Sequence, residues 1–206
     1  MALKTTVKIS NVTNLSDARY CAGMGVDLLG FSMDEDSEQY IEPKKFEEIR
    51  SWVAGVQIIG ETAVTDPETL DALLETYQPD GVQVEEASLV PYVASFNLPV
   101  ILKLDLALLT LDQMEALLTA NYAGLTYILL ESKAAFNLDE ELKTALQRLA
   151  DRYSLLLGTG VTAENIHDLL TDMPIKGIAL TGGQEDRPGY REFGELMDIL
   201  EILEED

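Results

Sequence analysis

Short apolar runs alternate with longer amphipathic stretches along the chain, and the alternation occurs eight times. The short runs are TVKIS (6–10), LLGFSM (28–33), VQIIGETA (56–63), GVQVE (81–85), VILKLDL (100–106), YILLES (127–132), SLLLGTG (154–160) and GIALTGG (177–183). Rich in leucine or β-branched residues, they read as strands covered on both faces. The segments between them carry helical spacing and start signals. DPETLDALLETY offers Asp66 as N-cap, Pro67 at the first helical position and Glu68 in the first turn. TLDQMEALLTANY has Thr110 and Gln113 at capping-box spacing. TAENIHDLL is expected to be helical from Thr162. FGELMDILEILEE closes the sequence on an apolar stripe of Phe193, Leu196, Leu200 and Leu203.

Strict alternation of strand and helix implies a parallel sheet with right-handed crossovers. Eight such units in 206 residues predict an α/β fold, a single compact (β/α)8 TIM barrel over residues 1–206. An open doubly wound sheet is the competing architecture. Nothing in the pattern marks a linker, a low-complexity tract or a second domain.

Composition narrows the class of partner more than the fold. The chain carries 14 basic and 37 acidic side chains, a net charge of −23. A field of that sign repels nucleic acid and anionic membranes, so neither is expected as a partner. No stretch approaches the roughly 20 apolar residues of a membrane span, and the opening MALKTTVKIS lacks a signal-peptide core. A lone cysteine, Cys21, is expected to pack in the first helix and suits a reducing, cytoplasmic setting. The oligomeric state is not legible.

In a barrel of this kind the working groups stand at the C-terminal strand ends and on the loops that follow. LLGTGVTAEN and ALTGGQED place small residues directly after the seventh and eighth strands. Glycine lets backbone N–H groups approach a phosphate closely, and a helix N-terminus behind them adds a favourable dipole. Gly158, Thr159, Gly160, Thr181, Gly182 and Gly183 are therefore the candidate phosphate cradle, with Arg187 or Lys133 adding charge. The expected ligand is a phosphorylated small molecule. The sequence holds no cofactor motif and no His or Cys cluster, so neither a cofactor nor a metal is expected. The one arrangement weighed is a magnesium ion among Glu61, Glu85 and Glu131.

Five motifs, in matching order and spacing, resemble phosphoribosylanthranilate isomerase, a small barrel enzyme of tryptophan biosynthesis. VKISNVTNLSDARYCAGMGVDLLGF is similar to that family's K-I-C-G-I-T opening, acidic-plus-alanine helix and G-A-D-x-x-G-F strand. DGVQVEE resembles D-x-V-Q-L-H-G, and YILLESK stands where the family has L-L-D-S. LLGTGVTAENIHDLL and GIALTGGQEDRPGYREFGELMDIL resemble its A-G-G-L-x-P-E-N-V and V-D-x-S-S-G-V-E segments. The resemblance implies an aldose–ketose (Amadori) isomerisation of an aminated ribose phosphate. In the family a cysteine at the first strand tip is the base, and an aspartate after the sixth strand is the acid.

Here those two positions are Ser10 and Glu131. The glycine after the cysteine is Asn11, and the arginine that helps hold the anthranilate carboxylate is Gln39. The histidine of V-Q-L-H-G is Glu85, while Gln83 is kept, and the family's G-G-T-G-K segment is replaced by AAFNLDEE. A thiol, with a pKa near 8.5, is readily tuned to a base, whereas a hydroxyl needs a neighbouring base. The only histidine, His167, is expected on an outer helix and cannot serve. Lys8 shares strand parity with Ser10 and is expected one layer below it, as a substitute base or as a paired structural lysine. Glu131 retains a carboxyl that can act as general acid, with Lys103 also at the mouth. Three readings stay open: an isomerase of this family with a substitute base, an enzyme acting on a different sugar phosphate, and a non-catalytic paralogue that binds a phosphorylated metabolite or a partner protein.

Overall fold

The computed structural model describes residues 2–121, 123–134, 138–182, 185–187, 190–191 and 194–204. The elements run β1 (Thr6–Ser10), α1 (Leu15–Gly23), β2 (Leu28–Ser32), α2 (Pro43–Ser51), β3 (Gln57–Thr62), α3 (Pro67–Tyr77) and β4 (Gly81–Val84). A 3-10 turn (Ala87–Leu89) leads into α4 (Val90–Ala94), followed by β5 (Val100–Asp105), α5 (Leu111–Asn121), β6 (Tyr127–Glu131), α6 (Glu140–Ala150), β7 (Leu155–Leu157), α7 (Ile166–Asp172) and β8 (Gly177–Thr181). After β8 come β9 (Glu185–Arg187), β10 (Tyr190–Arg191) and α8 (Gly194–Leu203). Strands β1 to β8 close a parallel barrel in sequential order, sealed by β1 against β8 from Thr6↔Gly177 to Ser10↔Thr181. The fold is a (β/α)8 barrel, and the open doubly wound sheet is excluded by that closing pair.

Strand alternation sorts the side chains into two compartments. Leu28, Ile59, Ile101, Leu129, Leu156 and Ala179 pack together inside the barrel. Their neighbours in sequence face outward onto the helices: Val7, Ile9, Leu29 and Phe31 on one side, Val82, Val84, Leu102, Leu130 and Leu157 on the other. Helix starts follow local chemistry. The Asp66 carboxylate accepts from the Thr69 N–H at 2.8 Å to cap α3, and Thr110 and Gln113 exchange reciprocal hydrogen bonds ahead of α5. Cys21 is buried in α1, and His167 is exposed on α7.

One local expectation is corrected. Helix α7 does not begin at Thr162: Thr162 and Asn165 bond to each other reciprocally, at 2.8 and 3.3 Å, and the helix starts only at Ile166. The segment after β8 forms the antiparallel β9–β10 pair before any helix. In the terminal stripe Leu200 and Leu203 are buried together with Ile199, and Phe193 lies outside the described residues. Among the described residues no helix is long and apolar enough to cross a membrane.

Candidate active site

Inward-facing positions near the C-terminal strand ends replace the apolar layer below them with charge. Lys8 is completely buried, and its Nζ donates to Ser10 Oγ at 2.6 Å and to Glu61 Oε1. The other Glu61 oxygen accepts the Asn11 N–H at 3.2 Å. Glu61 thereby ties the side chain of β1 to the turn that follows it. The pair spans β2, and Gly30 is what lets it do so. A Cβ at Gly30 would stand 2.6 Å from Glu61 Cδ and 2.8 Å from Lys8 Nζ. Asn11 has φ 56°, a left-handed conformation that asparagine tolerates and glycine adopts freely.

A second network occupies the far side of the mouth. Lys103 Nζ on β5 lies 3.1 Å from Glu85 Oε1 and 3.3 Å from Glu131 Oε2. Burial works to lower the Lys103 ammonium's pKa, but the charges of Glu131 and then Glu85 outweigh it and hold it above the ordinary lysine value. Gly158 makes the space for Glu131, since a Cβ there would lie 2.7 Å from Glu131 Cγ. Between the two networks stands Gln83 on β4, paired in register with Glu61. Gln83 is 4% exposed, and its Oε1 is buried with no hydrogen-bond partner.

The glycine-rich loops offer fewer backbone donors than their composition suggests. The Gly158 N–H donates to Leu130 O at 2.8 Å and the Gly182 N–H to Ser10 O at 2.9 Å, so both are consumed by the barrel. Among the described residues the N–H groups of Thr159 and Gly160 have no partner, and Gly160 adopts φ 69° in the turn. Thr181 is exposed at the end of β8. Gly183, and any contact of the Arg187 side chain, lie outside the described residues.

The structure thus brings Lys8, Ser10 and Asn11 together around Glu61, and Glu85 and Glu131 together around Lys103. Gln39 joins neither group. Its loop is held down by Asp34, whose carboxylate accepts from Thr62 Oγ1 at 2.5 Å and from the Ala63 N–H at 2.7 Å. The magnesium arrangement is also corrected. Glu61, Glu85 and Glu131 are divided between two lysines, and no group of three potential ligands converges among the described residues. The sequence reading weighed Glu61 only as a magnesium ligand and placed Lys103 at the mouth without a partner, and it passed over Gly30. The available signal was a lysine and a glutamate at inward parity in otherwise apolar strands, with glycine on the strand between.

The fold and the site define a (β/α)8 barrel protein with an ion-paired, acceptor-rich mouth. No family model matches the chain. It is 22% identical to an N-(5'-phosphoribosyl)anthranilate isomerase of Agrobacterium fabrum, over 98% of this chain and 96% of that one. The crystal structure of phosphoribosyl anthranilate isomerase from Thermotoga maritima superimposes with a TM-score of 0.77 at 23% identity, covering 96% of this chain and 97% of the other. A phosphoribosyl anthranilate isomerase in complex with reduced 1-(o-carboxyphenylamino)-1-deoxyribulose 5-phosphate gives a TM-score of 0.75 at 24% identity, covering 96% and 97%. Over nearly its whole length the chain is similar to phosphoribosylanthranilate isomerases, at 22% and 25% identity to two of them.

Proposed function

We propose that residues 1–206 work as one barrel that binds a phosphorylated sugar at its mouth and interconverts an aldose and a ketose form of it. The observation that carries this reading is the pair of opposed networks, Lys8–Ser10–Glu61 and Lys103–Glu85–Glu131, at the strand ends where the family does its chemistry. The phosphate is assigned to the loops after β7 and β8, chiefly the Thr159 and Gly160 amides, with Lys133 and Thr181 nearby in the fold.

The networks suggest an exchange of roles relative to the family pattern. Ser10 Oγ accepts a hydrogen bond from an ammonium, so its own proton is free to be donated. Glu131, ion-paired to Lys103, is a carboxylate and can accept a proton. In the proposed reaction the Ser10 hydroxyl, resupplied from Lys8, protonates the sugar ring oxygen. The C1–O bond breaks and C1 becomes a C=N cation. Glu131 then removes the C2 proton, and the resulting enaminol loses its hydroxyl proton to the Lys8–Ser10 side while C1 takes the proton held by Glu131. Protons balance, and the product is a 1-amino ketose.

Two measurements test the reading. Ribose 5-phosphate should raise the melting temperature, and a Gly160→Asp variant should abolish that rise. Phosphoribosylanthranilate, followed by loss of its fluorescence, should turn over above the buffer rate, and Glu131→Ala should return it to the buffer rate. No melting shift with ribose 5-phosphate or inorganic phosphate refutes the binding site. A shift without turnover of any phosphorylated aldose leaves a non-catalytic binding barrel. That outcome is the alternative favoured by the simultaneous change at Ser10, Glu131 and Gln39.

A further inference from the structure

Both inward lysines of the mouth are already committed. The Lys8 ammonium is fully buried against Glu61 and Ser10, and the single charge of Lys103 is shared by two carboxylates, Glu85 and Glu131. Around Lys103 the balance is one positive charge against two negative, and Glu85 remains partly open, its side chain 38% exposed. Asp105, two residues further along β5, adds another carboxylate, engaged by the Ala107 N–H at 2.9 Å. The side chain of Gln39 brings only an amide, and it makes no hydrogen bond among the described residues. Among the described residues no inward cation is left over to receive a ligand carboxylate.

Independently, Gln83 holds a buried carbonyl oxygen with no donor. Buried polar atoms in folded proteins nearly always have partners, and an orphaned acceptor inside a binding mouth marks where a ligand donor belongs. Taken together, the β4–β5 side of the mouth offers two acceptors with capacity to spare, Glu85 and the Gln83 carbonyl oxygen.

We propose that the end of the ligand remote from the phosphate presents N–H donors, as an amine or a carboxamide, received by Glu85 and Gln83, and that this mouth discriminates against a carboxylate there. The inference rests on the sugar-phosphate reading above and adds the substrate class to it. Like charges at short range in a partly desolvated site are strongly unfavourable, whereas a donor gains charge-assisted hydrogen bonds to the same oxygens.

A matched pair of stable probes tests the inference by calorimetry: reduced 1-(o-carboxyphenylamino)-1-deoxyribulose 5-phosphate and its o-carbamoyl counterpart, with ribose 5-phosphate as reference. The carboxamide probe is expected to bind at least tenfold more tightly than the carboxylate probe. Glu85→Gln should narrow that gap at least threefold, and Gln39→Arg combined with Glu85→His should reverse it in protein whose circular dichroism is unchanged. Equal or tighter binding of the carboxylate probe by the wild type overturns the inference. So does a carboxamide probe that binds no better than ribose 5-phosphate, an outcome that leaves the sugar-phosphate reading intact. Absence of binding by all three compounds overturns both.

Discussion

Removing one partner of the Lys8–Glu61 pair should be among the most damaging single polar substitutions in the barrel. Lys8 has no exposed surface and the Glu61 side chain is 6% exposed, so water cannot replace a lost partner. Glu61→Gln leaves the ammonium facing a neutral amide, and Lys8→Met leaves a buried carboxylate held, among the described residues, by the Asn11 N–H alone. Breaking a buried pair from one side costs about 3–5 kcal/mol, a large share of the roughly 5–15 kcal/mol that holds a domain folded. With an m-value of about 2 kcal/mol per M, urea midpoints should fall by about 2 M in either single variant. The double variant Lys8→Met/Glu61→Gln strands no charge, and its loss should be smaller than the sum of the singles by at least about 2 kcal/mol. Lys143→Met supplies the control, because its partner Glu140 is 90% exposed and solvent screens a surface pair, so the urea midpoint should barely move. Urea unfolding followed by circular dichroism at pH 7 measures all four. Single variants that cost less than about 1 kcal/mol, or a double variant that shows no coupling, would refute the reasoning.

Three other outcomes follow from particular contacts. Gly158→Ala sets a Cβ 2.7 Å from Glu131 Cγ and 3.0 Å from Leu129 Cδ1, so it should displace Glu131 and weaken ligand binding at least tenfold while the far-ultraviolet circular dichroism is retained. The Cys21 thiol is pushed up to about 12 by burial and then by Asp17, so its neutral form is favoured in the folded state. The stability this contributes is complete below the unfolded value of about 8.5 and is lost as pH rises toward 12, and the urea midpoint between pH 9 and 11 should fall more steeply than in Cys21→Ala. With a net charge of −23, self-repulsion should be relieved by salt: the melting temperature should rise by several degrees between about 20 mM and 500 mM NaCl, and an unchanged value would show that the acidic groups are too dispersed to repel.

The barrel was legible because its signals are local and periodic, whereas the mouth depends on contacts that no window of sequence contains. All eight strands fall inside the apolar runs that announce them, and α3 and α5 start where Asp66 and the Thr110–Gln113 exchange say they should. The start of α7 was misplaced because Thr162 and Asn165 bond each other across a turn, a geometry that a helical start signal imitates. At the site, parity alone put Lys8 near Ser10. The partner of Lys8, however, lies 53 residues away on β3, reached only because Gly30 on the intervening strand has no side chain. Gly158 and Glu131 repeat the arrangement on the opposite wall. In both places a glycine, Gly30 on β2 and Gly158 just after β7, makes room for a carboxylate on a neighbouring strand, and each carboxylate meets a lysine on a third. A change at the first strand tip is therefore not an isolated loss. Ser10 takes its hydrogen bond from Lys8, Lys8 is held by Glu61, and Glu61 holds the backbone of Asn11, so Ser10 and Asn11 belong to one physical unit and should be tested as one.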